Sequence, residues 1–494
     1  MTMDEYFVNP LVLAILVPLL GGIGVAICGR IPNLREAVTL GTSLVLAAVI
    51  WSLLPAVLAG ETIEFIPPEM VEGIGFSLSL EPLGMIFALV ASTLWVINSL
   101  YSIGYMRGNS EKHQTRFYIC FAIAIASVMG IALAGNLLTL FFFYEALTLS
   151  TYPLVTHKGD AKAKAGGRIY IGILLTTSVA FLLPAIIWTW TATGTMAFVP
   201  GGILAGAVSG GAVGILLLLY MIGIGKAALM PVHFWLPAAM VAPTPVSALL
   251  HAVAVVKAGV FTVIKVVVYV FGVDFLAGEA SASWLLYAAG FTIILASLIA
   301  LRQDNLKRRL AFSTVSQLSY VILAVALFVP GGIIAAALHI VAHAVGKITL
   351  FFAAGSIYTA SHKTEISQLD GIGRRMPVTM TAFAIGALAM IGLPLTSGFI
   401  SKWYLVMGTL DRDSMFALMV IMASTLLNAA YFLPIIYRAF FRPPVVVKGE
   451  TDDHGEAPWP IVLALVATAS LTILIFFVHA PLLALAEALV KGGL

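Results

Sequence analysis

The sequence predicts an all-α polytopic membrane protein of about fourteen transmembrane helices. Three observations carry that expectation. Hydrophobic residues make up 61% of the 494-residue chain and charged residues only 10%, with a mean hydropathy of +1.05. The apolar runs recur at close to the ~20 residues needed to cross a bilayer. The basic residues gather in every second loop, as the positive-inside rule requires of a multi-pass protein.

In chain order the expected spans are 11–29, 36–58, 82–104, 117–136, 137–156, 169–192, 212–236, 246–270, 282–300, 310–329, 332–358, 378–404, 415–440 and 459–480. The acidic N-terminus MTMDEYF makes a poor signal-peptide leader, so the first run is expected to stay as a helix. The run from Phe117 to Val155 is nearly continuous, and Gly135–Asn136 is what places a turn inside it. Arg30, Arg35, Arg107, Lys112, Arg116, Lys158, Lys162, Lys164, Arg168, Arg302, Lys307, Arg308, Arg309, Lys363, Arg374, Arg375, Arg438, Arg442 and Lys448 occupy alternate loops, which are therefore read as cytoplasmic. The opposite loops hold Glu61, Glu64, Glu69, Glu72, Asp274 and Glu279. Both termini then lie on the extracytoplasmic side of a bacterial or archaeal cytoplasmic membrane.

Five lysines do not follow this pattern. Lys226, Lys257, Lys265, Lys347 and Lys402 fall within or at the ends of apolar segments, and Glu145 is the one acidic residue deep in such a segment. A charged side chain at the centre of a membrane helix costs about 2.5–3.5 kcal/mol on insertion scales and usually marks an ion or proton path. Glu145 and Lys226 form the sharpest expected pair. At ~4 Å and an effective dielectric of 20 their attraction is about 4 kcal/mol, enough to switch a buried lysine between charged and neutral near neutral pH as the partners approach or separate. The alternative is a static ion pair fixing two helices. Lys265, nearer a helix end, is expected to snorkel to the interface.

Two helices should be broken. Pro231 removes a donor and frees the Ala227 carbonyl, and Pro237 does the same for His233. Later, in MIGLPLTSGFISKWYL, Pro394 frees the Met390 carbonyl and Gly398 loosens the chain ahead of Lys402. Interrupted segments at matching places in two halves point to an inverted-repeat transporter. The expected organisation is an N-terminal part over 1–116, a first five-helix repeat (helices 4–8) over 117–270, a second (helices 9–13) over 271–440, and a C-terminal helix in 441–494, with helices 7 and 12 broken.

His339, His343 and Lys347 lie at i, i+4 and i+8 along one helix face. Such a file suits proton hopping through intervening water, or a polar seam between helices. Without a carboxylate or cysteine beside them the histidines imply no metal. Lys257 is expected at the centre of the relay, with His251 about 120° away around the helix as a gate or a helix-end hydrogen bond. His233, between two prolines, either lines the path or satisfies freed carbonyls. Ser247, Thr244, Ser313, Thr314, Ser316 and Gln317 either order water or bond their own helices. No C-x-x-C, H-E-x-x-H or G-x-G-x-x-G after a strand occurs, and no soluble stretch is long enough for a nucleotide or flavin domain. No cofactor and no nucleic acid are implied.

The stretches PVHFWLPAAMVAPTPVSALLHAVAVVKAGVF, DNLKRRLAFSTVSQLSY and LHIVAHAVGKITLFF, with SIGYM at 102–106, FYEALTLSTYPL and SGFISKW, resemble the antiporter-like subunits shared by respiratory complex I, Mrp cation/proton antiporters and membrane-bound hydrogenases. The resemblance runs from about Tyr101 to Tyr404. It implies a fourteen-helix inverted-repeat fold and a proton path in which the glutamate matching Glu145 pairs with the lysine matching Lys226. The positions of Lys257 and Lys402 continue that path, with His339 and His343 between them. Ala238, Ala242 and Gly135 depart from the usual acidic, glycine and acidic residues at those positions. The chain ends soon after helix 14, so no long lateral helix or added domain is expected. HAVAVVKAGVF is similar to the largest Mrp subunit or to hydrogenase-linked forms, whereas the length suits Mrp D-type or middle complex I subunits. The expected function is proton translocation in a hetero-oligomeric membrane assembly, with Na+ or K+ as candidate coupled cations. A complex I-like oxidoreductase or hydrogenase, or an energy-coupled inorganic-carbon uptake complex, fits the same residues. A passive scaffold fits the fold but not the series of buried titratable groups.

Overall fold

The computed structural model describes residues 9–69, 74–444 and 454–493. Glu72, Lys448 and the segment MTMDEYF lie outside the described residues. The helices are α1 Pro10–Ile27, α2 Pro32–Leu58, α3 Pro82–Gly108, α4 Gln114–Ala132, α5 Leu137–Val155 and α6 Ala161–Thr193. There follow the half-helices α7 Gly211–Gly223 and α8 Val232–Val241, then α9 Thr244–Phe271, α10 Ala280–Leu301, α11 Leu306–Val325 and α12 Pro330–Ser361. The half-helices α13 Pro377–Ile391 and α14 Ser397–Asp411, then α15 Met415–Phe441, α16 Trp459–Phe477 and α17 Ala480–Gly493 complete the described chain.

Among the described residues, eleven helices are each long and apolar enough to cross a membrane. The other three crossings are interrupted or more polar. They are the broken pair α7/α8, the broken pair α13/α14, and α11, which buries Ser313, Thr314, Ser316, Gln317 and Ser319. Fourteen crossings result. The two broken ones hold the same place, fourth of five, in α4–α9 and in α10–α15. An odd number of crossings per unit turns the second unit over relative to the first, which is the inverted-repeat arrangement.

Local chemistry sets the ends. Asn136 Oδ1 accepts from the Thr139 amide at 2.8 Å and starts α5 where the sequence required a turn. Asp160 and Asn305 cap α6 and α11 in the same way. Pro10, Pro32, Pro82, Pro330 and Pro377 stand in first turns, where a missing amide costs nothing. A short hairpin, β1 Ile63–Phe65 with β2 Leu78–Leu80, was not evident in the sequence. It pairs Ile63 with Leu80 and Phe65 with Leu78, and Ser79 and Gly135 tie it to the α4–α5 turn through backbone bonds of 2.8 and 2.9 Å.

Burial ranks the helices. The most apolar window of α9 is 100% buried and that of α12 is 94% buried, against 33% for α1 and 28% for α2. The two central helices are thus the ones bearing lysines and histidines, and α1 and α2 present apolar faces outward, as lipid contact requires. On the basic face, Arg107 ion-pairs with Glu36, and Arg438 Nε meets Asp370 Oδ1 at 2.6 Å.

Three expectations change. The first break begins upstream of Pro231: α7 ends at Gly223, Gly225–Ala227 forms a single 3-10 turn, and Pro231 introduces the second half instead of interrupting a helix. Gly398 sits inside α14 and does not loosen it. A Cβ there would collide with the Ala389 carbonyl, so glycine permits the close crossing of α13 and α14. Lys265 does not snorkel. It is 1% exposed, and its Nζ lies 2.6 Å from Glu81 Oε1 and 2.6 Å from the Ala134 carbonyl.

Glu81 and Lys265 therefore join the start of α3 to α9 through a buried ion pair. Removing one partner of such a pair costs about 3–5 kcal/mol, while replacing both by apolar groups is often neutral. Glu81→Leu should lower the unfolding midpoint of the detergent-solubilised protein, and Glu81→Leu combined with Lys265→Met should recover most of it. Equal midpoints for the single and double variants would show that the pair does not hold α3 to α9.

Candidate proton path

The path is built from α5, the first break, α9, α12 and the second break. On α5, Tyr144, Glu145 and Thr148 face the first break. Lys226 Nζ donates to the Tyr144 carbonyl at 2.8 Å and to Thr148 Oγ1 at 2.6 Å, and the Lys226 amide donates to the Tyr144 hydroxyl at 3.2 Å. The expected direct contact with Glu145 is not made: no ion pair joins the two among the described residues. Both Glu145 carboxylate oxygens are buried without a hydrogen-bond partner there. The break exists because Gly223, Gly225 and the positive-φ Ala228 let the backbone leave helical geometry. The Gly225 carbonyl it exposes accepts from Trp235 Nε1 at 2.9 Å.

The turn bearing Lys226 packs against α9. Gly259 makes room, since a Cβ there would strike the backbone of Lys226 and Ala227. Helix α9 is itself irregular, with π-turns at Leu249–Val253 and Val267–Phe271. Inserted residues of this kind widen the helix and often accompany functional sites. His251 lies in the first π-turn, fully buried against Phe351 with a ring separation of 4.6 Å. Neither of its ring nitrogens has a hydrogen-bond partner among the described residues. Lys257 follows on α9, 1% exposed, and its Nζ contacts His343 Nδ1 directly.

On α12, His339 and His343 lie one turn apart with their rings tilted by 30° and their centroids separated by 6.0 Å. Lys347, a further turn on, donates to Ser313 Oγ at 2.7 Å and to the Leu310 carbonyl at 3.3 Å. Ser313 in turn meets the Tyr431 hydroxyl at 2.9 Å. At the other end His339 Nδ1 meets Ser401 Oγ at 2.9 Å. The Tyr320 ring lies between the next two groups, stacked on His339 at 5.6 Å and under Lys402 Nζ at 4.9 Å.

Lys402 resolves the second break. Helix α13 ends at Ile391, and Pro394 stands in the link before α14. Lys402 Nζ donates to the carbonyls of Met390 at 3.0 Å and Ile391 at 2.9 Å. The Met390 carbonyl that the sequence marked as freed is thus satisfied by the lysine that follows it. A cation on the C-terminal end of a half-helix also complements the helix dipole.

Of the remaining candidates, Ser247 Oγ reaches the Pro243 carbonyl only at 3.5 Å. His233 packs on Phe234 at 4.1 Å within α8 and does not join the series. Pro237 sits in the one α-helical turn of α8. Sequence reading missed Ser401, Tyr320 and Tyr431. Ser401, adjacent to Lys402, carried a signal in its spacing to the break. The tyrosines carried none, because aromatic residues abound in every span.

At the basic face a cavity of about 320 Å³ opens between the two five-helix units, lined by Tyr105, Lys158, Lys162, Thr244, Lys307 and Lys363. Lys307 donates to the Ala242 carbonyl at 2.6 Å. Glu111 lies nearby, outside the spans. Burial raises its carboxyl above the usual range, and Lys158 and Lys307 pull against that rise. His157 is lowered to about 4 by burial and by Arg116. The mouth of the cavity therefore leads from a cationic rim to Thr244 at the start of α9, two turns from His251.

Comparison with known proteins places this architecture. The chain is 31% identical over 457 residues to NADH-quinone oxidoreductase subunit N of Desulforudis audaxviator (strain MP104C), covering 91% of this chain and 89% of that protein. It is 30% identical over 434 residues to a Na(+)/H(+) antiporter subunit of Alkalihalophilus pseudofirmus (strain ATCC BAA-2126 / JCM 17055 / OF4), covering 82% of this chain but 53% of that one. Its fold superposes on a chain of the Mrp complex from Dietzia sp. DQ12-45-1b with a TM-score of 0.87 at 22% identity, covering 100% of this chain and 98% of the other. The family described as NADH:quinone oxidoreductase/Mrp antiporter, TM matches residues 134–428, which hold every member of the path from Glu145 to Lys402. The chain belongs to the NADH:quinone oxidoreductase/Mrp antiporter transmembrane family.

Proposed function

We propose that the chain is the proton-translocating membrane subunit of a multisubunit Mrp-type monovalent cation/proton antiporter. The observation that carries this reading is the buried series Lys257–His343–His339–Tyr320–Lys402, which runs through both central helices and ends at a helix break. Protons enter from the cavity at the basic face, taken as cytoplasmic, and pass Thr244, Ser247 and His251. They move along the lysines and histidines and leave toward the opposite face, where both termini lie. Glu145 supplies the negative charge that sets the state of Lys226. Other membrane subunits carry the coupled Na+ or K+.

A second reading has its own support. The match with an NADH-quinone oxidoreductase subunit spans nine tenths of both chains, which fits a proton-pumping subunit driven by electron transfer in partner proteins. Vesicles containing the intact complex separate the two. A pH gradient dissipated by Na+ or K+ without any electron donor supports the antiporter, whereas proton movement that requires a donor and ignores these cations supports the oxidoreductase.

Two variants test the path in either assembly. Glu145→Gln keeps the size of the side chain and removes its charge, so transport should fall by about 10²-fold or more, the range typical of lost proton-transfer groups, at unchanged membrane abundance. Full transport by a well-assembled Glu145→Gln complex would separate Glu145 from the function of Lys226.

Lys402→Arg preserves a cation that can satisfy the Met390 and Ile391 carbonyls, yet arginine does not release its proton at physiological pH. The complex should assemble at matched subunit levels and transport poorly, as should Lys402→Ala. Wild-type rates for Lys402→Arg would leave Lys402 as a cap for the broken helix and nothing more.

A further inference from the structure

A small cavity lies beside Ser401, the neighbour of Lys402 on α14. It is about 10 Å³ and is lined by Ser397, Ser401 and His479 inside a collar of Ile400, Ile475 and Leu482. That is about the space one water requires. Three polar groups converge on a pocket whose walls are otherwise apolar. Ser401 Oγ already holds His339 Nδ1 at 2.9 Å. Ser397, four residues earlier on the same face of α14, is 2% exposed, and its hydroxyl has no hydrogen-bond partner among the described residues. His479 stands in the link between α16 and α17 and is half-buried. Its Nδ1 is engaged with the Phe476 carbonyl at 2.8 Å, which leaves Nε2 for the cavity or the surface.

We propose that Ser401, Ser397 and His479 form the outward exit branch of the proton path, with His479 as its terminal proton-carrying residue. The proposal rests on the proton-translocation reading given above. The Ser401 hydroxyl, which donates to the Gly398 carbonyl at 3.2 Å, turns toward the cavity and gives its proton to a water there as His339 passes a proton from Nδ1 to Ser401 Oγ. His479 takes that proton at Nε2 and releases it at the surface. Each transfer moves one proton and no electrons; rotation of the Ser401 hydroxyl back to Gly398 and arrival of the next proton at His339 restore the starting state. A serine hydroxyl suits this role because it both donates and accepts. Histidine suits the surface position because its imidazole can accept a proton at one nitrogen while the other stays hydrogen-bonded. The short link at 478–479 places the imidazole at the cavity without burying it completely.

The test uses the complete complex in sealed vesicles, with proton flux followed by an internal pH dye at matched subunit incorporation. His479→Ala and Ser401→Ala should each lower the flux by about ten-fold or more. Imidazole added on the His479 face should restore His479→Ala but not Ser401→Ala, because it can occupy the vacated surface site and cannot replace the buried hydroxyl. Wild-type flux in His479→Ala, or a loss that imidazole leaves untouched while His479→Gln is equally slow and the complex is intact, would overturn the exit branch. Lys257→Ala measured alongside distinguishes this from failure of the larger reading. If Lys257→Ala is inactive while His479→Ala is normal, the relay stands and the exit lies elsewhere. If Lys257→Ala also retains full flux, the translocation reading itself fails.

Discussion

A carbonyl at membrane depth has no water to accept from, and every break in a helix creates such carbonyls. The structure meets this constraint with lysine. Lys402 satisfies the end of α13 and Lys265 the Ala134 carbonyl in the α4–α5 turn, whereas Lys226 and Lys347 reach the Tyr144 and Leu310 carbonyls inside the unbroken helices α5 and α11. Lys307 donates to the Ala242 carbonyl at the basic face. At the second break the interrupted helix and the buried lysine are therefore one solution seen from two sides. The backbone needs donors where it leaves helical geometry, and an ammonium group needs acceptors where there is no solvent.

This arrangement also bears on how a proton can move. A lysine held by a carboxylate is fixed by a strong opposite charge, as Lys265 is by Glu81 at 2.6 Å. A lysine held by carbonyls and hydroxyls can lose its proton and keep a neighbour, since a neutral amine still donates to the same oxygens. Lys257 goes further, because its partner is the imidazole of His343, which can itself carry the proton. Successive groups on α12 are one turn apart, roughly 6 Å between their side chains. Two positive charges at that distance repel by about 3 kcal/mol at an effective dielectric of 20. Adding a proton at one position therefore raises the cost of charge at the next, which favours transfer along the file over accumulation within it.

Much of this was legible in the sequence, for physical reasons. Bilayer thickness fixes the length of an apolar run, so the spans and the turn at Asn136 followed from composition and one capping residue. That two helices break was legible from Pro231 and Pro394, although the first break begins upstream of Pro231 and Gly398 does not loosen α14, and the file His339–His343–Lys347 followed from helical spacing. What the sequence did not carry was tertiary. Glu81 reads as a helix-start residue and Lys265 as an interfacial one, and nothing along the chain says that α3 and α9 bring them together. Glu145 and Lys226 share the same neighbourhood, but Tyr144 and Thr148 take the ammonium group, a choice set by side-chain direction on α5. The hairpin at 63–65 and 78–80 is short and joined by a long link, so its pairing depends on contact with the α4–α5 turn. The π-turn at His251 was equally hidden, because a one-residue insertion leaves the apolar pattern of α9 intact.

The contact between Lys257 and His343 has a particular place in this architecture. Helix α9 closes the first five-helix unit and α12 is central to the second, so the contact spans two units that are inverted relative to each other. Helix α3 clamps the junction from outside both units. Tyr101 donates to the Phe352 carbonyl at 3.1 Å and stacks on the Phe352 ring at 3.8 Å, and Asn98 reaches the Pro245 carbonyl at 3.5 Å. The inverted units present their broken helices from opposite faces, Lys226 on one side of the junction and Lys402 on the other. A proton crossing from the first unit to the second must pass where side chains of both touch. Among the described residues Lys257 on α9 and His343 on α12 are titratable side chains that meet across the two units, held in register by a helix that belongs to neither.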